Sequence, residues 1–318
     1  MRSSAVAFVR GQQRSLGGRS TIHRSAVASR GRPGVARTMR AMTSAQASAA
    51  FSKLIAQRDD SDQFPLDRAC LLICAVYDSS IEIDRYVAQL DAFAGRAKAS
   101  AAASDPYSLM GSVLRTLFVT GQFRGNEKSY DEAGNSLLAS VIDRRLGIPI
   151  TLSIVLMEVS RRVGLPLEGV GLPGHFVVRF PDPTSRLYID PFHGGTILDV
   201  SQCVALVERL YRGRLTWRDD YLAPVSHRAI VKRVLLNLKN ALSQAKDYPA
   251  ALSAIQLRMT LDPNDATELR DRGILFARLR RYDRAIEDLE AYLRESPDAG
   301  DSQHIRNTVQ YLRQERNF

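Results

Sequence analysis

With 318 residues the chain is long enough for a sizeable core and about two domains. Its formal charge of +10 is lopsided: Met1 to Ala50 carries nine arginines and no lysine or acidic residue, which leaves +1 for the rest. The remainder therefore offers no charge-based case for nucleic acid. With no run of about 18 apolar residues, no helical membrane span is expected either.

The first segment, residues 1–47, is rich in Arg, Ser, Ala and Gly and lacks the apolar stretch of a secretory signal. That composition predicts a disordered transit peptide cleaved between Ala36 and Ala50. Repeated Ser and Ala favour a chloroplast destination over a mitochondrial one. A basic arm for nucleic acid or an anionic surface is the alternative.

From Ser48 the pattern is helical. Leu66, Ala69, Leu72 and Ile73, then Ile83, Tyr86, Val87, Leu90 and Phe93, recur at three- and four-residue steps and predict two helices broken near Asp78-Ser79-Ser80. A further helix is expected over 106–120, a loop over 121–130 and a helix over 135–146. Pro149 stands where an N1 proline opens a helix, and Gly164 stops it after Val163. The first two turns are almost wholly apolar, so this helix is expected at the centre, with Glu158, Arg161 and Arg162 turned to water. Cys70 and Cys74 lie in an apolar helical run and Cys203 stands alone. Three sparse cysteines read as buried small residues rather than a disulfide framework or a metal pair.

The period then changes. Segments 167–171, 175–180 and 187–189 are short runs of Val, Phe, Tyr and Ile separated by Pro-Gly and Pro-Asp-Pro, and they predict antiparallel strands. A central helix followed by such strands is an α+β arrangement. After an expected linker at 219–226 the chain becomes self-similar at 34 residues. Tyr248 recurs as Tyr282, Ala251 as Ala285, Leu252 as Ile286, Ile255 as Leu289 and Pro263 as Pro297, which is the tetratricopeptide period. Gly273 takes the small position of its copy, and Lys239 takes it in the preceding one. Two copies and a last helix are expected to lean on the α+β part, because about three repeats are needed for independent stability. Domains are thus expected at 48–222 and 227–318.

Two polar residues stand in apolar, turn-like settings: His175 in Pro173-Gly174-His175-Phe176 and Asp190 in Ile189-Asp190-Pro191-Phe192. On adjacent antiparallel strands they would meet. An aspartate holding one imidazole nitrogen leaves the other as a general base. Ser153, one turn into the central helix, and Thr151 are candidate partners near a helix N-terminus. In a buried helix, bonding to backbone carbonyls is their commoner role. His193, in Phe192-His193-Gly194-Gly195, adds a third metal-ligating type, but a tally of types lacks convergent geometry, so no metal and no cofactor are expected.

Asn135-Ser136-Leu137-Leu138, Arg145-Leu146-Gly147-Ile148-Pro149-Ile150, Arg162-Val163-Gly164-Leu165-Pro166, Gly171-Leu172-Pro173-Gly174-His175-Phe176 and Ile189-Asp190-Pro191-Phe192 resemble the motif run of the SirB-type transglutaminase-like family. The likeness continues into the repeats at Arg270-Asp271-Arg272-Gly273-Ile274-Leu275. It implies a papain-like α+β fold followed by helical repeats, with His175 and Asp190 in the His and Asp roles. It also sets Pro149 where the superfamily carries its nucleophilic Cys. The reading is therefore a non-enzymatic module that binds a protein or peptide through its repeats. The alternative is a hydrolase or acyltransferase using His175 and Asp190 with Ser153 or water.

Overall fold

A computed structural model describes residues 42–56, 64–182 and 185–316. The basic leader to residue 41, including its expected disorder, lies outside them. The first described helix, α1 (Ser44–Ala56), buries Ala47, Phe51 and Ile55. The domain start expected at Ser48 therefore falls inside a packed helix, as does the C-terminal part of the cleavage window.

Helices α2 (Leu66–Tyr77) and α3 (Ile83–Ser100) flank the expected break at 78–80. Next comes α4 (Pro106–Leu114), started by Asp105, whose carboxylate accepts from the amides of Tyr107 and Ser108, and prolonged by a π-helical turn, Arg115–Thr120. The expected loop contains a two-residue strand, β1 (Arg124–Gly125). A single helix over 135–146 does not form. Ala133–Ser136 is 3-10, α5 (Leu138–Arg144) ends on Arg145 at φ 61°, and β2 (Leu146–Gly147) pairs parallel with β1.

Pro149 opens α6 (Pro149–Arg162), and Gly164 at φ +88° ends its run. Every residue from Pro149 to Ser160 is buried, including Glu158, which the sequence pattern placed in water. The reason is long-range. Arg162 bridges Glu158 at 2.7 Å, Asp67 of α2 at 2.5 Å and Asp91 of α3 at 2.6 Å. Only Arg161 keeps an exposed side chain.

The sheet follows as β3 (Glu168–Val170), β4 (Val177–Arg179), β5 (Tyr188–Asp190) and β6 (Thr196–Leu198). Then α7 (Val200–Tyr211), capped by Asp199, covers one face and β7 (Pro224–Val225) joins the far edge. The order is β6-β5-β4-β3-β7, all antiparallel. Alternation sorts the two faces: Val177 and Tyr188 pack with Cys203, Leu206 and Val207 of α7, whereas Val178 and Ile189 join the core around α6. The expected linker at 219–226 is thus no spacer, since β7 is paired with β3.

The repeats comprise α8 (His227–Gln244), α9 (Tyr248–Leu261), α10 (Ala266–Arg278), α11 (Tyr282–Glu295) and α12 (Ser302–Glu315). The recurring tyrosines open α9 and α11, as a 34-residue period requires. Lys239 is buried and ion-paired to Asp271 of α10, which explains how a lysine occupies the small position. The core is continuous across both parts: Ile230, Val234 and Leu238 of α8 belong to the same apolar cluster as α2 and α6. The Tyr77 hydroxyl donates to Ala250 O at 3.2 Å, and Arg228 donates to Ile55 O. The repeats lean on the front part as expected.

Candidate functional site

The strands bring His175 and Asp190 together. Asp190 ends β5, and His175 precedes β4 by two residues on a turn in which Gly174 takes φ +69° and the His175 amide donates to Leu172 O at 3.1 Å. His175 Nε2 lies 2.9 Å from Asp190 Oδ2, with both side chains almost wholly buried. The His175 carbonyl accepts from Arg233 of α8 at 2.7 Å, so the first repeat helix fixes the histidine backbone.

His193 shares the same carboxylate oxygen, with Nδ1 at 2.7 Å from Asp190 Oδ2. The tight turn after β5 puts it there. Glycines 194 and 195 adopt φ +72° and +78°, conformations that side-chain-bearing residues rarely take, and Gly195 donates to Asp190 O. The other carboxylate oxygen, Oδ1, accepts from the amides of Phe192 at 3.0 Å and His193 at 3.4 Å. The two imidazoles stack at 5.7 Å and 25°, with the Phe192 ring edge-on to both. Burial pushes the Asp190 carboxyl up, but the hydrogen bonds and charge of His175, then His193, outweigh it and hold the group below the usual carboxylate range.

The positions at the start of α6 are different. Pro149 is buried, and Ser153 Oγ is buried with no hydrogen-bond partner among the described residues, so this serine does not engage the His175 ring. Thr151 Oγ1 donates to Asn135 O at 2.7 Å and accepts from Ile148 N, a capping role. The three cysteines are buried and free. Burial raises the Cys70 thiol well above its ordinary value and pushes Cys74 and Cys203 up to about 12.

A cleft of about 550 Å³ opens between this region and α8, lined by Tyr130, Glu132, Ser136 and Ile148 on one side and Asn237 and Asn240 on the other. Its near wall is organised by fully buried Asn135, whose amide donates to Ser129 O and Tyr130 O while its Oδ1 accepts from Asn126 and Arg144. Tyr130 meets Phe192 edge-on at 6.0 Å, so a single ring separates the cleft wall from the histidines. A second groove of about 490 Å³, inside the repeats, shares Asn240 and Ser243 with the first. Sequence reasoning missed these α8 residues. Their signal was polar side chains at 233, 237, 240 and 244, one face of a helix whose other face is apolar.

The profile of the transglutaminase-like superfamily matches residues 84–236, and that of the tetratricopeptide repeat matches residues 238–310. A UPF0162 protein of Xylella fastidiosa is 33% identical over 264 residues, covering 81% of this chain and 93% of that protein. A UPF0162 protein of Vibrio cholerae is 28% identical over 201 residues, covering 63% and 74%. Protein SirB1 of Salmonella typhimurium is 26% identical over 173 residues, covering 54% and 64%. These relatives are bacterial, and a bacterial cell has no chloroplast or mitochondrion. The expected chloroplast location, its mitochondrial alternative and a transit peptide serving either are therefore withdrawn. The chain belongs to the SirB-type family of transglutaminase-like proteins that carry tetratricopeptide repeats.

Proposed function

We propose that the protein is a binding module in which the front part and the repeats together hold an extended segment of a protein partner, without forming a covalent bond to it. The observation that carries this is the pair of openings along α8, which share Asn240 and Ser243 and so offer one path from the repeat groove to Ile148. Asparagine and glutamine side chains spaced along a helix suit an extended backbone, whose amides and carbonyls need partners of both kinds. The N-terminus of α6, where the superfamily carries its Cys, presents buried Pro149, which has no nucleophilic atom.

Selection of peptides from a random display library against the full chain tests this. Asn240 is exposed, so Asn240→Arg should fold and should weaken the selected peptides at least about tenfold by blocking the shared wall. His175→Ala should leave them bound. Unchanged binding in Asn240→Arg, or loss in folded His175→Ala, would contradict the reading.

A hydrolytic alternative has one observation in its favour: Asp190 holds Nε2 of His175, while Nδ1 makes no hydrogen bond among the described residues and so keeps the lone pair that a general base requires. Turnover of a broad ester panel that disappears in His175→Ala would support it.

A further inference from the structure

The geometry points to a binding site for one divalent first-row transition metal of the zinc type, with His175 Nε2, His193 Nδ1 and Asp190 Oδ2 as its ligands. The three atoms lie within 4.8 Å of one another, and they belong to the residue types, two imidazoles and a carboxylate, that suit such ions.

Charge makes the first argument. Asp190 is 1% exposed, and among the described residues its ion-pair partners are the two imidazoles alone, with no lysine or arginine. A buried carboxylate needs a compensating positive charge. A cation held between the two imidazoles supplies it. A metal ion does so while using the lone pair of each ring.

Preorganisation makes the second. The carboxylate cannot swing, because Oδ1 is held by the amides of Phe192 and His193. Arg233 fixes the His175 carbonyl, and the Phe192 edge packs against both rings at 6.0 and 5.2 Å. His193 is 47% exposed at its side chain, which supplies both an entry path and room to move. The nitrogens stand 2.9 and 2.7 Å from Oδ2, whereas ligands about 2.0–2.1 Å from a tetrahedral ion lie about 3.3 Å apart. Both separations must open by a few tenths of an ångström: rotation of the half-exposed His193 does this for its Nδ1, and a small tilt of the His175 ring does it for Nε2. Three protein ligands leave a fourth position for water.

The test uses the full chain, stripped with a chelator and dialysed to equilibrium against Zn²⁺ alone, with metal and protein both quantified. One ion per chain is expected. His193→Ala, at a half-exposed position, should retain its circular dichroism and bind Zn²⁺ at least about tenfold more weakly, since even outer-shell changes cost about 10–100-fold. Imidazole nitrogen NMR gives an independent readout: Zn²⁺ should shift Nε2 of His175 and Nδ1 of His193 together. Failure to bind one ion, unchanged affinity in His193→Ala, or ring-nitrogen shifts confined to other histidines would overturn the proposal.

Discussion

Arg162 is the residue on which the centre of the front part depends. Its guanidinium reaches buried Glu158 and buried Asp67 as well as the more exposed Asp91. Arg162→Ala would strand two buried carboxylates, with only the exposed Arg161 left on Glu158, and should lower stability by about 3–5 kcal/mol in urea unfolding. Arg162→Lys should recover only part of that, because an ammonium cannot span three carboxylates with a planar fork. The cysteines give a second prediction. With the Cys74 and Cys203 thiols pushed up to about 12 by burial, only about one in ten thousand of each is thiolate at pH 8. A thiol reagent should therefore label the folded chain slowly and the urea-unfolded chain at once. At this scale the sequence was informative about His175 and Asp190, since a turn before one strand and the end of the next bring two polar residues together. It was silent on His193 sharing their carboxylate, because that depends on two consecutive left-handed glycines after β5. It misplaced Glu158, because a charged residue near a helix end reads as surface until Asp67 and Asp91 arrive from other helices.

Among the elements, the tight passages are set by glycines facing side chains. At Gly195 a Cβ would stand 2.7 Å from the Phe118 ring on a backbone at φ +78°. Gly195→Ala should therefore cost about 1–3 kcal/mol in thermal unfolding and disturb the turn that carries His193. In the repeats a Cβ at Gly273 would stand 2.8 Å from Leu289, so Gly273→Val should overpack α10 against α11 by about 1–3 kcal/mol. The 34-residue register made α9, α10 and α11 legible, because identical helix pairs need identical contacts. The compensation of Lys239 by Asp271 was not legible, since it joins one repeat to the next. Nor was β7: Pro224 and Val225 sit in a polar stretch that looks like a tether, and only the free edge of β3 makes them a strand. The segment 133–147 defeated periodicity for a related reason. Asn135 and the parallel pairing of β2 with β1 divide what the apolar pattern presents as one helix.

For the whole molecule, the continuous core predicts shared fate on unfolding. Trp217, the sole tryptophan, sits in the cluster beneath α7, while far-UV circular dichroism weighs all the helices, including the repeats. The two signals should report one coincident transition, and separated midpoints would show that the parts melt independently. Expected domain limits at 222 and 227 followed the change from strands to repeats. They did not foresee that α8 would be the first helix of the repeats while its apolar face completes the core around α6 and its Arg233 steadies His175. The seam between the two sequence profiles, at residues 236 and 238, lies inside that helix. A genetic exchange that swapped repeat cassettes at this seam would sever α8 and deliver neither a finished core nor a finished repeat.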